Sequence, residues 1–180
     1  SSAASDVYKR QVEAYAALFP NAVFTICNRT EDKAKKLIKE MSRSYNLNLG
    51  GELKHEVPKA DIIASGTMAE EPIFDGTWFR PGQHIDLIGA YKANMREVDD
   101  KTLLRSRIFV DSRDTTIEHI GELKIPLGNG IIQESNIIAD FYDENKNYAR
   151  KSNEEITLFK NGGGAHLDLM TAKYILDTCS

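Results

Sequence analysis

The chain has 180 residues, of which 41% are hydrophobic and 28% charged, so it is long and apolar enough to bury one sizeable core. Its formal net charge of −4, with both signs interspersed, disfavours binding to the phosphate backbone of nucleic acids. No apolar run approaches the roughly 20 residues of a membrane span and no secretory signal opens the chain, so we expect a soluble, cytoplasmic protein. The two cysteines and four histidines lack a metal-ligand spacing, and we predict no metal site.

Residues 1–11 differ in character from the rest of the chain. They are polar and join abruptly to the apolar residues 12–19, and the string DVYKRQ at positions 6–11 is the translation of an adapter used in transposase-based sequencing libraries. We therefore predict that residues 1–11 are foreign and that native sequence before Val12 is missing. The alternative is an ordinary frayed terminus.

The next part of the chain predicts a strand, a polar turn and a helix. Residues 12–19 fit the end of a helix that stops at Pro20. Residues 22–27 (AVFTIC) are rich in β-branched and aromatic side chains and predict a buried strand. Thr30 then provides the N-cap of a helix over residues 31–42, whose first turn is acidic and whose apolar side chains recur at helical spacing.

Strands and helices alternate along the rest of the chain. Further strands are predicted at residues 61–65, 84–88, 107–111 and 156–159. Helices are predicted at residues 99–106, 115–120, 135–141 and 165–178, and a polar surface loop at residues 142–155. This alternation predicts an α/β fold, a doubly wound parallel sheet with helices on both faces and an additional C-terminal helix.

The residues that follow each strand matter most, because ligands of an open parallel sheet bind beyond the carboxyl ends of its strands. Asn28, Arg29 and Thr30 follow the first strand and precede a helix N-terminus. In dinucleotide-binding folds, an acidic residue there holds the ribose 2′-hydroxyl, whereas an arginine accommodates a 2′-phosphate. These residues favour NADPH over NAD, the alternative being a solvated Arg29 and a Thr30 that only caps the helix.

Two turns of small residues follow the next two strands. Ser65, Gly66 and Thr67 form one turn, and Gly89 and Ala90 form the other. Small residues let the backbone approach a flat cofactor ring, and the hydroxyls of Ser65 and Thr67 could bond to a nicotinamide carboxamide or ribose. Tight turns that bind no ligand have the same composition. These turns therefore indicate a cofactor site only together with the other residues that follow the predicted strands.

The glycine-rich turn G-x-G-x-x-G of a dinucleotide-binding domain does not occur before Ala22. Residues 12–19 fit the end of the helix that would follow such a turn. Both this absence and the unusual residues 1–11 predict a Rossmann-like domain that is truncated at its N-terminus. We therefore divide the chain into the foreign segment, a partial NAD(P)-binding domain over residues 12–160, and a C-terminal turn and helix over residues 161–180.

Several segments, taken in order, resemble the ornithine cyclodeaminase and mu-crystallin family. They are CNRT at residues 27–30, ADIIASGTMAEEPIF at 60–74, RPGQHI at 80–85, IGA at 88–90, MREVD at 95–99, VDS at 110–112 and TLFK at 157–160. No single segment is diagnostic, but their joint order and spacing make the resemblance specific. The family is described as two-domain dimeric enzymes, in which a Rossmann-like half holds the nicotinamide cofactor and an N-terminal half supplies most substrate contacts.

The resemblance implies which residues contact the cofactor. Asn28, Arg29 and Thr30 would hold the 2′-phosphate. The nicotinamide end would be lined by the turns after the later strands, namely Ser65, Gly66, Thr67, Met68, Ile88, Gly89, Ala90 and Asn161. Residues that clamp the substrate would lie in the N-terminal half, so no catalytic residue is assigned and the chain by itself is predicted not to turn over substrate.

One departure from the family bears on the reaction. Its cyclodeaminases carry an aspartate shortly after the glycine pair, whereas Tyr91 stands in that region here. This residue and the basic turn at Arg29 favour an NADPH-dependent reductase of a cyclic imino acid, such as a pyrroline- or piperideine-2-carboxylate, acting as a homodimer. Tyr91 is a candidate acid, with a packing tyrosine as the alternative.

Three other functions stay open. The first is an ornithine cyclodeaminase-type lyase that recycles NAD without net consumption, and the second is an amino-acid dehydrogenase that releases ammonia. The third is a non-enzymatic protein of the mu-crystallin type, which binds NADPH or a small ligand without turnover.

Overall fold

The computed structural model describes residues 2–144 and 148–179. Contacts between residues divide the chain into an N-terminal unit, Ser1–Ala60, and a C-terminal unit, Asp61–Ser180. Helices and strands alternate in both units, and the strand pairs of the described residues are parallel. The predicted α/β class is therefore confirmed, while the predicted division at residues 11 and 160 stays a prediction. None of the helices in the described part is long and apolar enough to cross a membrane.

The N-terminal unit pairs two short strands and packs two helices. Its elements are α1 (Ser2–Leu18), β1 (Val23–Ile26), α2 (Glu31–Met41), β2 (Asn46–Leu49), α3 (Leu53–Glu56) and a 3-10 turn (Val57–Lys59). The helix predicted at residues 31–42 is confirmed as α2, and its apolar positions Leu37 and Met41 are buried in one cluster with Val12 of α1. The strand predicted at residues 22–27 is confirmed as β1, which pairs with β2, but its predicted burial is wrong, since Val23 is 56% exposed and no residue of β1 is buried.

Helix α1 runs through the predicted junction at residues 11 and 12 without a break. Tyr8 packs against the cluster of Val12, Leu37 and Met41, and the Lys9 ammonium lies 2.6 Å from a Glu40 carboxylate oxygen. Residues on the N-terminal side of the junction therefore contact α2. The foreign origin of residues 1–11 stays a prediction.

The C-terminal unit contains a five-stranded parallel sheet. Its elements are β3 (Ile62–Ser65), β4 (His84–Leu87), α4 (Asp100–Arg105), β5 (Ser106–Val110), α5 (Arg113–Thr116), α6 (Gly121–Gly128), a 3-10 turn (Glu134–Asn136), β6 (Ile137–Ala139), β7 (Ile156–Lys160) and α7 (Ala165–Cys179). The strand order is β3-β4-β7-β5-β6, so β7 inserts between β4 and β5. Alternate side chains on one face, Ile85, Leu87, Ile108 and Leu158, are fully buried and form the core.

One predicted helix is wrong and another is displaced. Residues 135–139 form the end of a 3-10 turn and then β6. The Gln133 N–H donates to the Asn136 side chain at 2.7 Å and caps the start of this turn. The apolar residues that follow then pair with β5. The helix predicted at residues 115–120 begins two residues earlier and ends four residues earlier, as α5, while β2, α3 and α6 are not predicted at all.

The other predicted elements of this unit are confirmed within one or two residues. Within the loop predicted at residues 142–155, the described residues form turns and bends, and residues 145–147 lie outside the described part. The helix predicted at residues 165–178 is confirmed as α7. Its large side chains Leu169, Met170, Tyr174 and Leu176 are at least 65% exposed.

Candidate functional site

Four strands of the C-terminal unit end side by side at one edge of the sheet. Because β3, β4, β7 and β5 are parallel neighbours, the turns that follow them meet there. We call this region the carboxyl edge, and it comprises residues 65–68, 88–91, 111–112 and 161–164. Eight of the predicted cofactor contacts lie in it, namely Ser65, Gly66, Thr67, Met68, Ile88, Gly89, Ala90 and Asn161.

A single buried carboxylate joins the turns after β3 and β4. Glu97 is fully buried, and its Oε1 accepts hydrogen bonds from the Ser65 hydroxyl at 2.5 Å and from both the N–H and the hydroxyl of Thr67 at 2.8 Å. Its Oε2 accepts from the N–H groups of Gly89 at 2.9 Å and Ala90 at 3.2 Å. The sequence predicts no role for Glu97, because these partners are 7 to 32 residues away along the chain.

The two turns also touch directly. A Cβ atom at Gly89 would lie 2.1 Å from the Thr67 carbonyl oxygen and 2.3 Å from the Thr67 nitrogen. These atoms are backbone, so they cannot swing aside as a flexible side chain would. The turn after β4 therefore requires glycine at this position, which explains the small residue by packing within the protein.

Two further buried charges join the remaining strand ends. Lys160 is fully buried, and its ammonium donates to the Leu87 carbonyl at 3.1 Å and to the Asn161 carbonyl at 2.8 Å, which ties β7 to β4. Asp111 Oδ1 accepts from the Ser112 N–H at 2.8 Å and from the Gly162 N–H at 2.9 Å, which ties β5 to the turn after β7. Each neighbouring strand pair at the carboxyl edge is thus held by one buried charged side chain.

A second buried carboxylate supports the first. Glu122, on α6, accepts hydrogen bonds from the Glu97 N–H at 2.7 Å and from the Val98 N–H at 3.1 Å. The pKa of Glu122 is raised to about 7. Burial is the main cause and the nearby Glu97 adds to the rise, whereas these two hydrogen bonds and Lys160 oppose it. Burial lowers the pKa of the Lys160 ammonium, against the attraction of Glu97 and Glu122. The carboxyl edge therefore rests on a network of buried opposite charges.

The raised pKa of Glu122 predicts a pH dependence of stability. The group has a pKa of about 7 when folded and 4.5 as its ordinary value, so the folded state binds the extra proton between these pH values. The free energy of unfolding should therefore fall as pH rises from 4.5 to 7, by an amount on the order of 3 kcal/mol. Glu122→Gln should remove this fall. In urea unfolding, the free energy of unfolding of the variant relative to the wild type should therefore rise between pH 4.5 and 7.

The exposed Glu118→Gln is the matched control for this experiment, because it also replaces one carboxylate of the C-terminal unit by an amide. Its stability relative to the wild type should stay nearly constant over the same pH range. A constant difference for Glu122→Gln as well would show that Glu122 titrates normally.

The residues predicted to hold a 2′-phosphate lie in the N-terminal unit. Asn28 Oδ1 accepts the Thr30 N–H at 2.9 Å, so this oxygen shapes the turn before α2. The Thr30 side chain makes no capping bond, and Arg29 and Thr30 are both exposed. Among the described residues, no ion pair of Arg29 is found. A guanidinium and a hydroxyl beside the N-terminus of an 11-residue helix are thus open to an anion, which fits a 2′-phosphate.

A pocket of about 370 Å³ lies elsewhere in the C-terminal unit. It is lined by His84, Phe109, Val110, Phe141, Tyr148, Arg150, Thr157 and Phe159, none of them a predicted contact. Its polar groups bond within the protein, since His84 Nδ1 lies 2.8 Å from the Thr157 hydroxyl and Arg150 donates to backbone carbonyls. Burial lowers the pKa of His84.

Tyr91, the candidate acid, is 51% exposed, and the Lys92 ammonium lies 5.5 Å from its ring centre. Within residues 2–144 and 148–179, no group of three or more His, Cys, Asp or Glu side chains is arranged to hold a metal ion.

Comparison with known proteins identifies the family. The model of the "Ornithine cyclodeaminase/mu-crystallin family" matches residues 6–180. A Delta(1)-pyrroline-2-carboxylate reductase of Paracoccus denitrificans (strain Pd 1222) is 46% identical over 168 residues, which cover 91% of this chain and 53% of that protein. The resemblance predicted from the seven segments is therefore confirmed.

Solved structures agree with this relationship. Thermococcus litoralis Delta(1)-pyrroline-2-carboxylate reductase in complex with NADH and L-proline matches with a TM-score of 0.74 at 34% identity, over 84% of this chain and 48% of that chain. An archaeal alanine dehydrogenase dimer with bound NAD matches with a TM-score of 0.82 at 26% identity, over 91% and 51% of the two chains. The chain spans about half the length of the relatives that it matches. It belongs to the ornithine cyclodeaminase/mu-crystallin family.

Proposed function

We propose that this chain is the dinucleotide-binding half of an NADPH-dependent reductase that acts on a cyclic imino acid such as Δ1-pyrroline-2-carboxylate. The observation that carries the proposal is the 34% identity to the Thermococcus reductase, whose structure contains NADH and L-proline. The whole enzyme would be a cytoplasmic homodimer, in keeping with the dimer of the related alanine dehydrogenase.

The carboxyl edge suits the nicotinamide end of the cofactor. The turn after β7 leaves open space at Gly163, where a Cβ built on the backbone would meet nothing within 4 Å. Met68 is 65% exposed beside Thr67 and offers an apolar side chain that can shield a bound ring from water. The bound cofactor would supply the hydride. The residues of this chain would hold and orient it, and the catalytic acid stays unassigned.

The preference for NADPH rests on Arg29. The two solved relatives contain NADH and NAD, so their cofactors do not select the phosphorylated form. A guanidinium can form paired, charge-assisted hydrogen bonds to a phosphate, and Arg29 is exposed for such a contact. NAD(H) is the alternative cofactor.

Arg29→Glu should weaken binding of NADPH by about 10-fold to 100-fold, the effect of losing a charge-assisted hydrogen bond and adding a repulsive charge. Binding of NADH, which lacks the 2′-phosphate, should change by less than about threefold. Fluorescence titration with both nucleotides measures the two dissociation constants. Arg43→Glu is the matched control, because Arg43 is also exposed in the N-terminal unit and undergoes the same charge change. Equal weakening of NADPH and NADH by Arg29→Glu would remove the 2′-phosphate assignment.

The reaction is tested with the protein translated from the complete reading frame that contains these 180 residues. A reductase consumes NADPH in proportion to the cyclic imino acid supplied. A cyclodeaminase releases ammonia from ornithine without net loss of cofactor, and a dehydrogenase needs ammonia for the reductive direction. Retention of NADPH without turnover of any of these substrates would leave the binding-protein alternative and contradict the proposed reductase.

A further inference from the structure

The Thr67 hydroxyl has its hydrogen committed to Glu97. Thr67 Oγ1 donates to Glu97 Oε1 at 2.8 Å, and a hydroxyl has only one hydrogen to give. Its oxygen therefore keeps lone pairs that can accept a hydrogen bond, but it has no second hydrogen to donate. Thr67 is only half-buried at the carboxyl edge, so part of the residue is open to a ligand there.

The environment of Glu97 holds this arrangement in place. The five hydrogen bonds to its carboxylate come from hydroxyl and main-chain N–H donors, so the group acts purely as an acceptor. Glu122 fixes the Glu97 main chain by accepting its N–H. The Thr67 N–H and the Thr67 hydroxyl both donate to Glu97 Oε1. If the hydroxyl turned its hydrogen away, this buried carboxylate oxygen would lose one donor.

We propose that Glu97 is a positioning residue that keeps the Thr67 hydroxyl as an acceptor, and that the carboxyl edge thereby selects the NH₂ group of the nicotinamide carboxamide. This inference rests on the proposed function. A carboxamide has one donating end and one accepting end, and an acceptor at Thr67 can bind only the donating end. Glu97 would thus determine which way the carboxamide points without touching the cofactor.

The test compares NADP⁺ with its 3-acetylpyridine analogue, in which a methyl group replaces the carboxamide NH₂. Calorimetric titration should show the wild type binding NADP⁺ roughly tenfold more tightly, the ratio that corresponds to one hydrogen bond of about 1.4 kcal/mol. Thr67→Val keeps the shape of the side chain but removes the hydroxyl, so the ratio should fall to about one. A ratio that stays the same in Thr67→Val would overturn the proposal.

Thr102→Val is the matched control. Thr102 also donates its hydroxyl to a carboxylate, Asp99 Oδ1 at 2.7 Å, but it lies at the start of α4 and outside the carboxyl edge. Both variants lose one hydroxyl-to-carboxylate bond, so they should be destabilised to a similar extent. Only Thr67→Val should change the binding ratio, and an equal change in Thr102→Val would assign the effect to general loss of structure.

Glu97→Gln tests the positioning role itself. The NH₂ group of the substituted side chain can donate to the Thr67 hydroxyl, which then accepts that bond and turns its own hydrogen outward. That hydrogen can bond to the carbonyl group that both nucleotides carry, so the ratio should fall toward one even where binding persists. A folded Glu97→Gln protein that keeps the tenfold ratio contradicts the role of Glu97. If the wild type binds neither nucleotide, the proposed function fails. This outcome differs from failure of the Thr67 inference, in which the wild type binds NADP⁺ but Thr67→Val leaves the ratio unchanged.

Discussion

Gly89→Ala is expected to lower the free energy of unfolding by about 3 kcal/mol, at the upper end of what overpacking usually costs. The added Cβ would lie 2.1 Å from the Thr67 carbonyl oxygen, so the turns after β3 and β4 must separate. Separating the two turns also weakens the hydrogen bonds that both turns donate to the Glu97 carboxylate. Urea unfolding of the wild type and the variant measures the difference.

Gly128→Ala is the control for this substitution. No atom lies within 4 Å of a Cβ built at Gly128, which is the last residue of α6. The same chemical change should therefore be neutral or slightly stabilising there, as expected for alanine replacing glycine in a helix. If the two variants lose similar stability, the close approach of the two turns is not present in solution.

Lys160→Met is expected to be the most destabilising change considered, at about 3–5 kcal/mol. It leaves the unbranched chain in place but removes the buried ammonium, so Leu87 and Asn161 lose a donor. Glu122 loses a cation that lowers its pKa, so its titration should move to higher pH. Urea unfolding measures the first effect, and carbon-detected NMR titration of the Glu122 carboxyl measures the second.

Lys124→Met provides the comparison for this change. Lys124 is an exposed residue of α6, so the same substitution removes a solvated charge and should change stability by less than about 0.5 kcal/mol. A Lys160→Met protein as stable as the wild type would mean that the buried ammonium does not hold the strand ends together.

The sequence predicts most of the strands because their signal is local. Residues 22–27 are mostly apolar and rich in β-branched side chains, residues 84–88 and 107–111 each contain three large apolar side chains, and each range overlaps a strand of the structure. β2 has no such signal, since its sequence NLNL alternates with asparagine, which is uncommon in strands. It is a strand because its residues pair with β1 in parallel register, and this pairing is not visible in a local window.

The helix predicted at residues 135–141 fails for a related reason. Three apolar residues in succession fit either a helix or a short strand by periodicity alone. The pairing of Ile137 with Ile108 and the turn closed by Gln133 and Asn136 decide between the two. The pairing with β5 cannot be inferred without knowing the strand order, whereas the contact of Gln133 with Asn136 is local.

The sequence locates the carboxyl edge but not what holds it. The small residues after β3 and β4 follow predicted strands, so the parallel fold implies that they meet. The buried charges Glu97, Glu122 and Lys160 give a weaker signal, because charged residues are usually exposed and their partners are distant in the chain. Lys160 at the end of the apolar strand β7 is the position that most nearly reveals a buried charge from sequence alone.

An amide NMR titration of this chain with NADPH tests directly whether the carboxyl edge binds the cofactor. If the carboxyl edge binds the nicotinamide end, the largest shift changes in the C-terminal unit should occur at Thr67, Met68, Gly89, Ala90 and Asn161, and they should saturate together. Amides around the pocket of Phe109, Phe141 and Phe159 should change little. A dispersed spectrum that stays unchanged at the carboxyl edge, at NADPH concentrations that should saturate the site, would show that this edge is not a nicotinamide-dinucleotide site.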